Sequence, residues 1–126
     1  MRDFKKYYIL NTEPEILYSA LTTEATIILW TGEKAQMQAV EGTEFSLWDD
    51  SIVGKNISFE PNKKIVQQWY FGEQTEPSIV TIILHDNKGK TSVEVRHTNI
   101  PDEDFVDIVK GWNEIYFGSL MEFYRD

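Results

Sequence analysis

The 126-residue sequence contains no cysteine, which excludes disulfide bonds, thiolate metal sites and cysteine nucleophiles. It also lacks a long apolar run, because stretches such as residues 79–84 are far shorter than the roughly 20 residues that cross a bilayer. We therefore expect no membrane insertion. The amino-terminal segment has no apolar stretch of signal-peptide length, which predicts a cytoplasmic protein.

Basic residues are few relative to acidic ones. Twelve lysines and arginines stand against 21 acidic residues, which gives a net charge of −9, and such a surface repels the phosphates of nucleic acids. We therefore predict no nucleic-acid partner. The chain is nevertheless 41% hydrophobic and 13% aromatic, which is too apolar for a disordered acidic chain. At this length we predict a single domain spanning residues 1–126.

The first third of the chain predicts one strand and two short helices. Apolar and polar residues alternate over residues 3–11, which is typical of a strand. Thr12 and Glu15 have the spacing of a capping box, and Pro14 suits the first turn of the helix that follows. A second short helix is predicted to end at Gly32, because glycine readily takes the left-handed conformation after a helix.

Strand patterns dominate the middle of the chain. Six short segments rich in β-branched and aromatic residues are separated by turn residues: 35–40, 43–50, 51–60, 63–71, 78–86 and 89–98. The turn between the last two is predicted to place Leu84 opposite Thr91, which makes one face of that hairpin apolar. The register of the fourth segment stays open, because a two-residue turn sends Val66 inward and a three-residue turn sends Ile65 and Trp69 inward.

The last 24 or so residues predict one long helix, roughly 36 Å in length. Pro101 and the acidic residues after it mark its start. Its inward face is predicted to carry Phe105, Ile108, Val109, Trp112, Ile115, Tyr116, Ser119, Leu120 and Phe123. Gly111 and Gly118 each cost a helix about 1 kcal/mol relative to alanine. We expect close approach of a neighbouring element at Gly111, whereas Gly118 leaves both close packing and space for a ligand open.

This order of elements predicts an α+β helix-grip fold. An antiparallel sheet of six to seven strands would wrap around the long C-terminal helix, with two short helices after the first strand. The sheet and that helix would then enclose the apolar side chains of the domain.

The two histidines lie at opposite ends of the predicted hairpin, so they cannot share a metal ion. His97 is in phase with Val93 and Val95 and can face the interior as an acid, a base or a hydrogen-bond donor. We favour a hydrogen-bonded histidine at the rim of the sheet. His85 flanks a turn and is expected to be solvated.

The acidic residues have structural explanations. Glu94 and Arg96 alternate with the apolar face and predict a surface ion pair. The carboxylates at residues 49–50 suit a tight turn, and those at 102–104 suit a helix start. The sequence has no serine-nucleophile motif and no phosphate-binding loop. We therefore predict no catalytic residue, no metal ligand and no cofactor.

Several stretches also resemble a known family when taken in order along the chain. They are "YILNTEPEILYSALTTEATIILWTGEKA", "SLWDDSIVGKNISFEPNKKIVQQW", "GKTSVEVRHTNIPDED" and "GWNEIYFGSL". Together they resemble the domain shared by homologues of the activator of the heat-shock-protein-90 ATPase, within the START-like or SRPBCC superfamily. The resemblance covers nearly all of residues 3–124. It implies the helix-grip (START/Bet v-like) fold with a cavity between the sheet and the C-terminal helix.

The aromatic residues carry the functional prediction. Large amphipathic rings can line a pocket for an apolar ligand, and we predict non-catalytic binding of a small hydrophobic molecule, lipid-like or aromatic. The candidate lining residues are Trp30, Phe45, Trp69, Val80, Ile82, Val93, Val95, His97, Trp112, Tyr116, Phe117 and Leu120. The first alternative is a protein-interaction module whose partner is a chaperone or another protein. The second is a cyclase- or hydrolase-like enzyme that uses His97 and a tyrosine.

Overall fold

A computed structural model describes residues 1–125, and it has one six-stranded antiparallel sheet in the order β1-β6-β5-β4-β3-β2. The strands are β1 Arg2–Leu10, β2 Glu44–Leu47, β3 Ile52–Glu60, β4 Lys64–Trp69, β5 Ser78–Asn87 and β6 Lys90–Ile100. The helices are α1 Pro14–Thr22, α2 Glu24–Thr31, α3 Phe105–Lys110 and α4 Phe117–Phe123. Buried side chains of the sheet and the helices form one core. The predicted helix-grip fold is confirmed.

The two short helices lie where they were predicted, with one difference at the first cap. Glu13 rather than Thr12 is the N-cap residue of α1, and no side chain caps that helix, so the predicted capping box is wrong. The backbone carbonyl of Thr12 instead accepts a hydrogen bond from the Thr91 hydroxyl at 2.7 Å, which ties the start of α1 to the sheet. Gly32 ends α2 in the left-handed conformation, as predicted.

The predicted strand at residues 35–40 is wrong. This segment makes a single bridge to the sheet, in which Gln36 and Ser46 exchange two backbone hydrogen bonds of 2.8 and 3.0 Å. The next backbone N–H, that of Met37, donates to the Glu24 carboxylate at 2.9 Å and so turns away from strand pairing. The sheet consequently has six strands, the lower number of the predicted range.

The β5–β6 hairpin has the predicted faces but a different register. Leu84 pairs with Val93 rather than with Thr91, because the turn contains only two residues, Lys88 and Gly89, both with positive φ. That conformation matches the twist of the two strands. Since the register differs from the predicted one by two residues, every side chain keeps its face, and the inward residues of both strands are buried.

The open register between β3 and β4 is settled by a three-residue turn. Glu60 pairs with Lys64 across residues 61–63, and the inward side chains of β4 are Ile65, Gln67 and Trp69, all buried. The three-residue alternative is therefore the correct one. It brings the Trp69 indole to the end of the sheet that the C-terminal helix crosses.

The C-terminal helix (residues 102–123) is not uniformly α-helical. A 3-10 turn at Asp102–Asp104 precedes α3, and a π-helical segment, Gly111–Tyr116, separates α3 from α4. The backbone N–H of Phe117 donates to the carbonyl of Trp112, five residues earlier. This wider turn directs two consecutive rings, Tyr116 and Phe117, toward the sheet. Ile115, 52% exposed, and Phe123, 42% exposed, consequently point outward, which corrects the predicted inward face.

Candidate ligand-binding groove

A groove of about 280 Å³ lies where the C-terminal helix crosses the end of the sheet. Its walls come from the turn between β2 and β3, the end of β4, α3 and the π-helical segment. The lining residues are Trp48, Ser51, Ile52, Trp69, Asp107, Ile108, Gly111, Trp112, Ile115 and Tyr116. Ser51 and Asp107 are the polar members, and both are exposed to solvent. Apart from the polar atoms of its aromatic side chains, the groove is therefore an apolar recess whose polar residues are exposed.

The β2–β3 turn places Trp48 on one wall of the groove. Trp48, Asp49 and Asp50 all have positive φ, between 50° and 70°, a conformation that is uncommon for residues other than glycine. The backbone N–H of Asp49 donates to the Lys34 carbonyl at 2.9 Å, and that of Asp50 donates to the Ser46 hydroxyl at 3.1 Å. The predicted role of these two aspartates in a tight turn is thus confirmed, and the turn holds an aromatic wall.

Gly111 leaves open space at the helix side of the groove. Its backbone is helical, with φ −61°, and a Cβ atom built there would meet nothing within 4 Å. The expected close approach at Gly111 is therefore wrong. At Gly118, by contrast, a Cβ atom would lie 3.2 Å from the Asn113 carbonyl oxygen, which the π-helical turn brings near. This contact lies within the C-terminal helix and is not the approach of a strand or a short helix, so it does not decide between the two readings left open for Gly118.

A buried hydrogen-bond chain holds the Trp112 ring. The indole Nε1–H donates to His97 Nδ1 at 3.0 Å, so the proton of the neutral imidazole lies on Nε2. That nitrogen lies 2.8 Å from the Ser78 hydroxyl, to which it donates, and the hydroxyl donates to the Thr98 carbonyl at 3.0 Å. Burial lowers the pKa of His97 to about 3, although the charge of Asp3 opposes that shift.

His97 is accordingly a structural residue of the core. Its side chain is fully buried, both ring nitrogens have protein partners, and the imidazole is uncharged at neutral pH. The interpretation of a hydrogen-bonded histidine is confirmed. An acid–base role would require a free nitrogen and a pKa near the working pH, and this site provides neither.

A second buried chain holds the Trp69 ring. Its Nε1–H donates to Gln67 Oε1 at 3.1 Å, and the Gln67 amide donates to Asn56 Oδ1 at 3.0 Å. The Asn56 amide in turn donates to the Gln38 carbonyl at 3.1 Å. Trp69 and Trp112 also stack, with ring centroids 4.8 Å apart. Because both indole N–H groups are bonded inside the protein, these two rings present only carbon to the groove.

The groove includes three of the twelve predicted lining residues: Trp69, Trp112 and Tyr116. The other nine lie in the core with exposures of 6% or less: Trp30, Phe45, Val80, Ile82, Val93, Val95, His97, Phe117 and Leu120. Sequence reasoning did not select Trp48, Ser51, Ile52, Asp107, Ile108, Gly111 or Ile115. The sequence signals for this location are the aromatic Trp48, the predicted inward positions of Ile108 and Ile115, and the unexplained Gly111 beside Trp112.

The predicted surface ion pair is part of a larger charged cluster on the outer face of the sheet. Glu94, only 5% exposed, lies 3.2 Å from His85 Nε2 and 3.9 Å from Lys5 Nζ, and it also binds Arg96. Desolvation raises the pKa of Glu94, but the hydrogen bonds from His85 and Arg96 and the charges of Arg96 and Lys5 outweigh it, so the pKa is lowered. His85 is exposed to solvent, as expected, and it also contacts Glu94.

Two further features were searched for in residues 1–125. No group of three histidine, aspartate or glutamate side chains among them is placed to hold a metal ion. None of the helices in this part of the chain is both long and apolar enough to cross a membrane.

Comparisons with known proteins give a consistent picture of the family. The profile of the family described as "Activator of Hsp90 ATPase homolog 1-like protein" matches residues 11–124. An "Activator of 90 kDa heat shock protein ATPase homolog" from Dictyostelium discoideum is 36% identical over 75 residues, which cover 57% of this chain and 20% of that protein. The matched region is likewise 20% of the length of a Schizosaccharomyces pombe relative.

Solved structures share the fold. An HSP90 activator from Plasmodium falciparum superposes with a TM-score of 0.85 at 24% identity, covering 94% of this chain and 92% of that one. The Aha1 dimer from Colwellia psychrerythraea gives a TM-score of 0.82 at 19% identity, covering 98% and 96% of the two chains. At these identities the similarity establishes the helix-grip architecture.

Proposed function

Because the chain belongs to the family of Activator of Hsp90 ATPase homolog 1-like proteins, in the START-like superfamily, we propose that it binds a small hydrophobic molecule beside its C-terminal helix. The observation that supports this proposal is the groove of about 280 Å³ lined by Trp48, Trp69, Trp112 and Tyr116. Concave apolar sites with a few polar groups are the usual form of ligand pockets, and this one is near the lower end of their size range.

The rigidity of the walls also supports binding. The indoles of Trp69 and Trp112 are each held by a buried hydrogen-bond chain, and Trp48 is fixed edge-on to Trp30 at 5.5 Å between centroids. Little side-chain freedom is then left to lose when a ligand enters. A preorganised site binds more tightly because it avoids that entropic cost.

A groove-filling variant tests the proposal. At Gly111 the backbone is helical and the adjoining space is open, so Gly111→Leu places a side chain in the groove without a clash at Cβ. Diphenylmethane, an uncharged hydrocarbon, is a suitable probe. We expect it to quench or shift tryptophan fluorescence and the NMR signals of Trp69 and Trp112 in the wild-type protein, and to do neither in Gly111→Leu.

Val106→Leu is the matched control, because Val106 is 73% exposed on the same helix. This variant should bind diphenylmethane like the wild type. Binding should also stabilise the folded state, by about 2.7 kcal/mol at a probe concentration 100 times Kd. Equal binding by Gly111→Leu and the wild type, or no binding by either, would contradict the proposed function.

A second candidate function rests on the family and on the names of its members. We propose that the chain contacts a chaperone of the Hsp90 type through the outer face of its sheet, in the cytoplasm. On that face Tyr7 and Ile9 of β1 are each about half exposed, close to the charged cluster around Glu94. The aligned region is only about a fifth of the length of these two relatives, so the activity named for the first of them is a proposal for this chain.

Two charge substitutions on opposite faces test this second proposal. Ile9→Glu changes the outer face of the sheet, and Leu29→Glu changes α2, where Leu29 is 69% exposed. We expect the wild type and Leu29→Glu to bind purified Hsp90 and raise its ATPase rate, and Ile9→Glu to do neither. An unchanged rate with all three proteins would contradict the proposal, as would equal stimulation by the two variants.

A further inference from the structure

Two aromatic residues of the groove, Tyr116 and Trp48, have a polar group without a hydrogen-bond partner within residues 1–125, and Tyr116 is the buried one of the two. Its ring is enclosed by those of Trp30, Trp48 and Trp112, at centroid distances of 5.3, 5.6 and 4.7 Å. The side chain is only 4% exposed. Within residues 1–125 its hydroxyl makes no hydrogen bond, whereas the other buried tyrosine, Tyr8, donates to Asn113 Oδ1 at 2.7 Å.

Tyr116 is part of the groove lining. Among residues 1–125 the only side-chain polar atom that is sealed from solvent without a partner is Nε2 of Gln74, so the Tyr116 hydroxyl has contact with accessible space. The groove is the accessible space that Tyr116 lines. A buried hydroxyl without a partner is costly, and a ligand that supplies a partner there would recover that cost.

The Tyr116 phenol is available as a donor. Burial raises the pKa of Tyr116 far above that of a free tyrosine, so the hydroxyl keeps its proton at any physiological pH. The indole N–H groups of Trp69 and Trp112 are already bonded to Gln67 and His97. Trp48, the fourth aromatic residue of the lining, is partly exposed, so the Tyr116 phenol is the buried donor that these aromatic side chains leave without a partner.

Charge in and around the groove disfavours an anionic ligand. The Asp107 side chain lines the groove on its exposed side, and the protein carries a net charge of −9. Apolar walls also penalise the burial of a carboxylate that has no cationic partner. We propose that the natural ligand is an uncharged apolar molecule bearing one hydrogen-bond acceptor, such as a ketone, aldehyde or ester carbonyl, and that Tyr116 donates to this acceptor. This inference rests on the proposed binding function.

Matched probes separate this inference from the binding function itself. Benzophenone and diphenylmethane share one carbon skeleton and differ in a carbonyl in place of a methylene group. Affinities of both are measured by titration for the wild type and for Tyr116→Phe. Since a hydrogen bond contributes about 0.5–1.5 kcal/mol and 1.4 kcal/mol is tenfold in affinity, we expect the ketone-to-hydrocarbon affinity ratio to fall about threefold to tenfold in Tyr116→Phe.

The hydrocarbon is the internal control. Diphenylmethane should bind Tyr116→Phe at least as well as the wild type, because the groove becomes more apolar. A ketone-to-hydrocarbon ratio that is the same in both proteins would overturn the role of Tyr116 while leaving hydrophobic binding established. Failure of both probes to bind the wild type would overturn both proposals. Tighter binding of diphenylacetate than of benzophenone would overturn the preference for uncharged ligands.

Folding is checked with a matched pair of variants. Tyr116→Phe removes a hydroxyl without a partner, so its free energy of unfolding should equal or exceed that of the wild type. Tyr8→Phe removes a satisfied hydroxyl and leaves Asn113 without that donor, so it should be less stable than the wild type. A clear loss of stability in Tyr116→Phe would show that its hydroxyl is bonded inside the protein, which contradicts its availability to a ligand.

Discussion

Among single residues, His97 shows how burial converts an ionisable group into a structural one. Its imidazole accepts from Trp112 and donates to Ser78, which requires the neutral form with the proton on Nε2. Protonation of Nδ1 would break the bond to the indole and place a charge in the core. The pKa of about 3 reflects this preference for the neutral imidazole. Because His97 holds the Trp112 ring of the groove wall, the position of that ring depends on the protonation state of His97.

We predict that His97 makes the protein less stable as the pH falls. The unfolded chain binds a proton at His97 below its ordinary pKa of 6.5, whereas the folded chain does so only near 3, so protonation favours unfolding between these values. The wild type should lose about 2 kcal/mol from this group between pH 8 and pH 5. Denaturant unfolding at several pH values measures the loss.

His97→Gln is the comparison for that prediction. Glutamine offers an acceptor toward Trp112 and a donor toward Ser78 but does not titrate. Its free energy of unfolding should therefore change less than that of the wild type over pH 8 to 5, by the same 2 kcal/mol or so. Parallel pH profiles for the two proteins would contradict the assignment of a buried neutral histidine.

Gln67 is the residue on which the second buried chain depends. It accepts from Trp69 and donates to Asn56, and it is 3% exposed. We predict that Gln67→Leu leaves two buried polar groups without partners, at about 1–3 kcal/mol each, and lowers the free energy of unfolding by about 2–6 kcal/mol in total. Gln68→Leu, one residue later on the outer face of β4, should change it by less than about 0.5 kcal/mol.

At the scale of elements, the sequence predicted a feature correctly where the hydrophobic period and the turn residues indicated the same structure. The helix stop at Gly32 and the inward face of the β5–β6 hairpin depend on a single glycine and on alternation, and both were predictable. The hairpin register was not, because alternation is unchanged when the pairing moves by two residues, and the turn length alone distinguishes the registers. To predict such a register, the conformation of the turn must be known, and here it is a two-residue turn with positive φ at Lys88 and Gly89.

The groove was less predictable than the fold. Period 3.6 assigns both Ile115 and Tyr116 to the inward face of the helix, but in the structure Tyr116 and Phe117 are buried and Ile115 is exposed. No residue type marks the π-helical turn in advance, because it forms when inward packing outweighs regular hydrogen bonding. Trp48 is among the aromatic residues that indicate a pocket, but its position on a groove wall depends on three successive left-handed residues. Both features shape the groove directly.

The two glycines of the C-terminal helix should respond oppositely to the same substitution. Gly111→Ala gains helix propensity in open space, and we predict that it raises the free energy of unfolding by about 0.5–1 kcal/mol. Gly118→Ala has the same gain, but its Cβ would crowd the Asn113 carbonyl, so its net effect should be smaller or negative. Thermal and denaturant unfolding of both variants measure the difference. Equal stabilisation by Gly111→Ala and Gly118→Ala would mean that the Asn113 carbonyl can move away from the added Cβ at little cost.

For the whole molecule, we propose that residues 1–126 fold as one cooperative unit, because the sheet and helices share a single core. The net charge of −9 then acts on the compact state as a whole. A chain of this length has a radius of gyration of about 14 Å, which is shorter than the Debye length of about 30 Å at 0.01 M salt and longer than the 10 Å at 0.1 M. Repulsion between acidic residues on distant parts of the surface is consequently significant only at low salt.

We predict that added NaCl stabilises the protein in a single unfolding transition. Screening weakens the exposed ion pairs, which contribute at most about 1 kcal/mol each, and it acts less on pairs of the buried Glu94. Self-repulsion, by contrast, involves every acidic residue and is absent from the expanded unfolded chain. The melting temperature should therefore rise between 0.01 and 0.2 M NaCl.

Glu33→Gln combined with Glu41→Gln removes two exposed charges that form no ion pair within residues 1–125, and it should reduce that rise. A melting temperature that falls with salt would show that the ion pairs outweigh the repulsion.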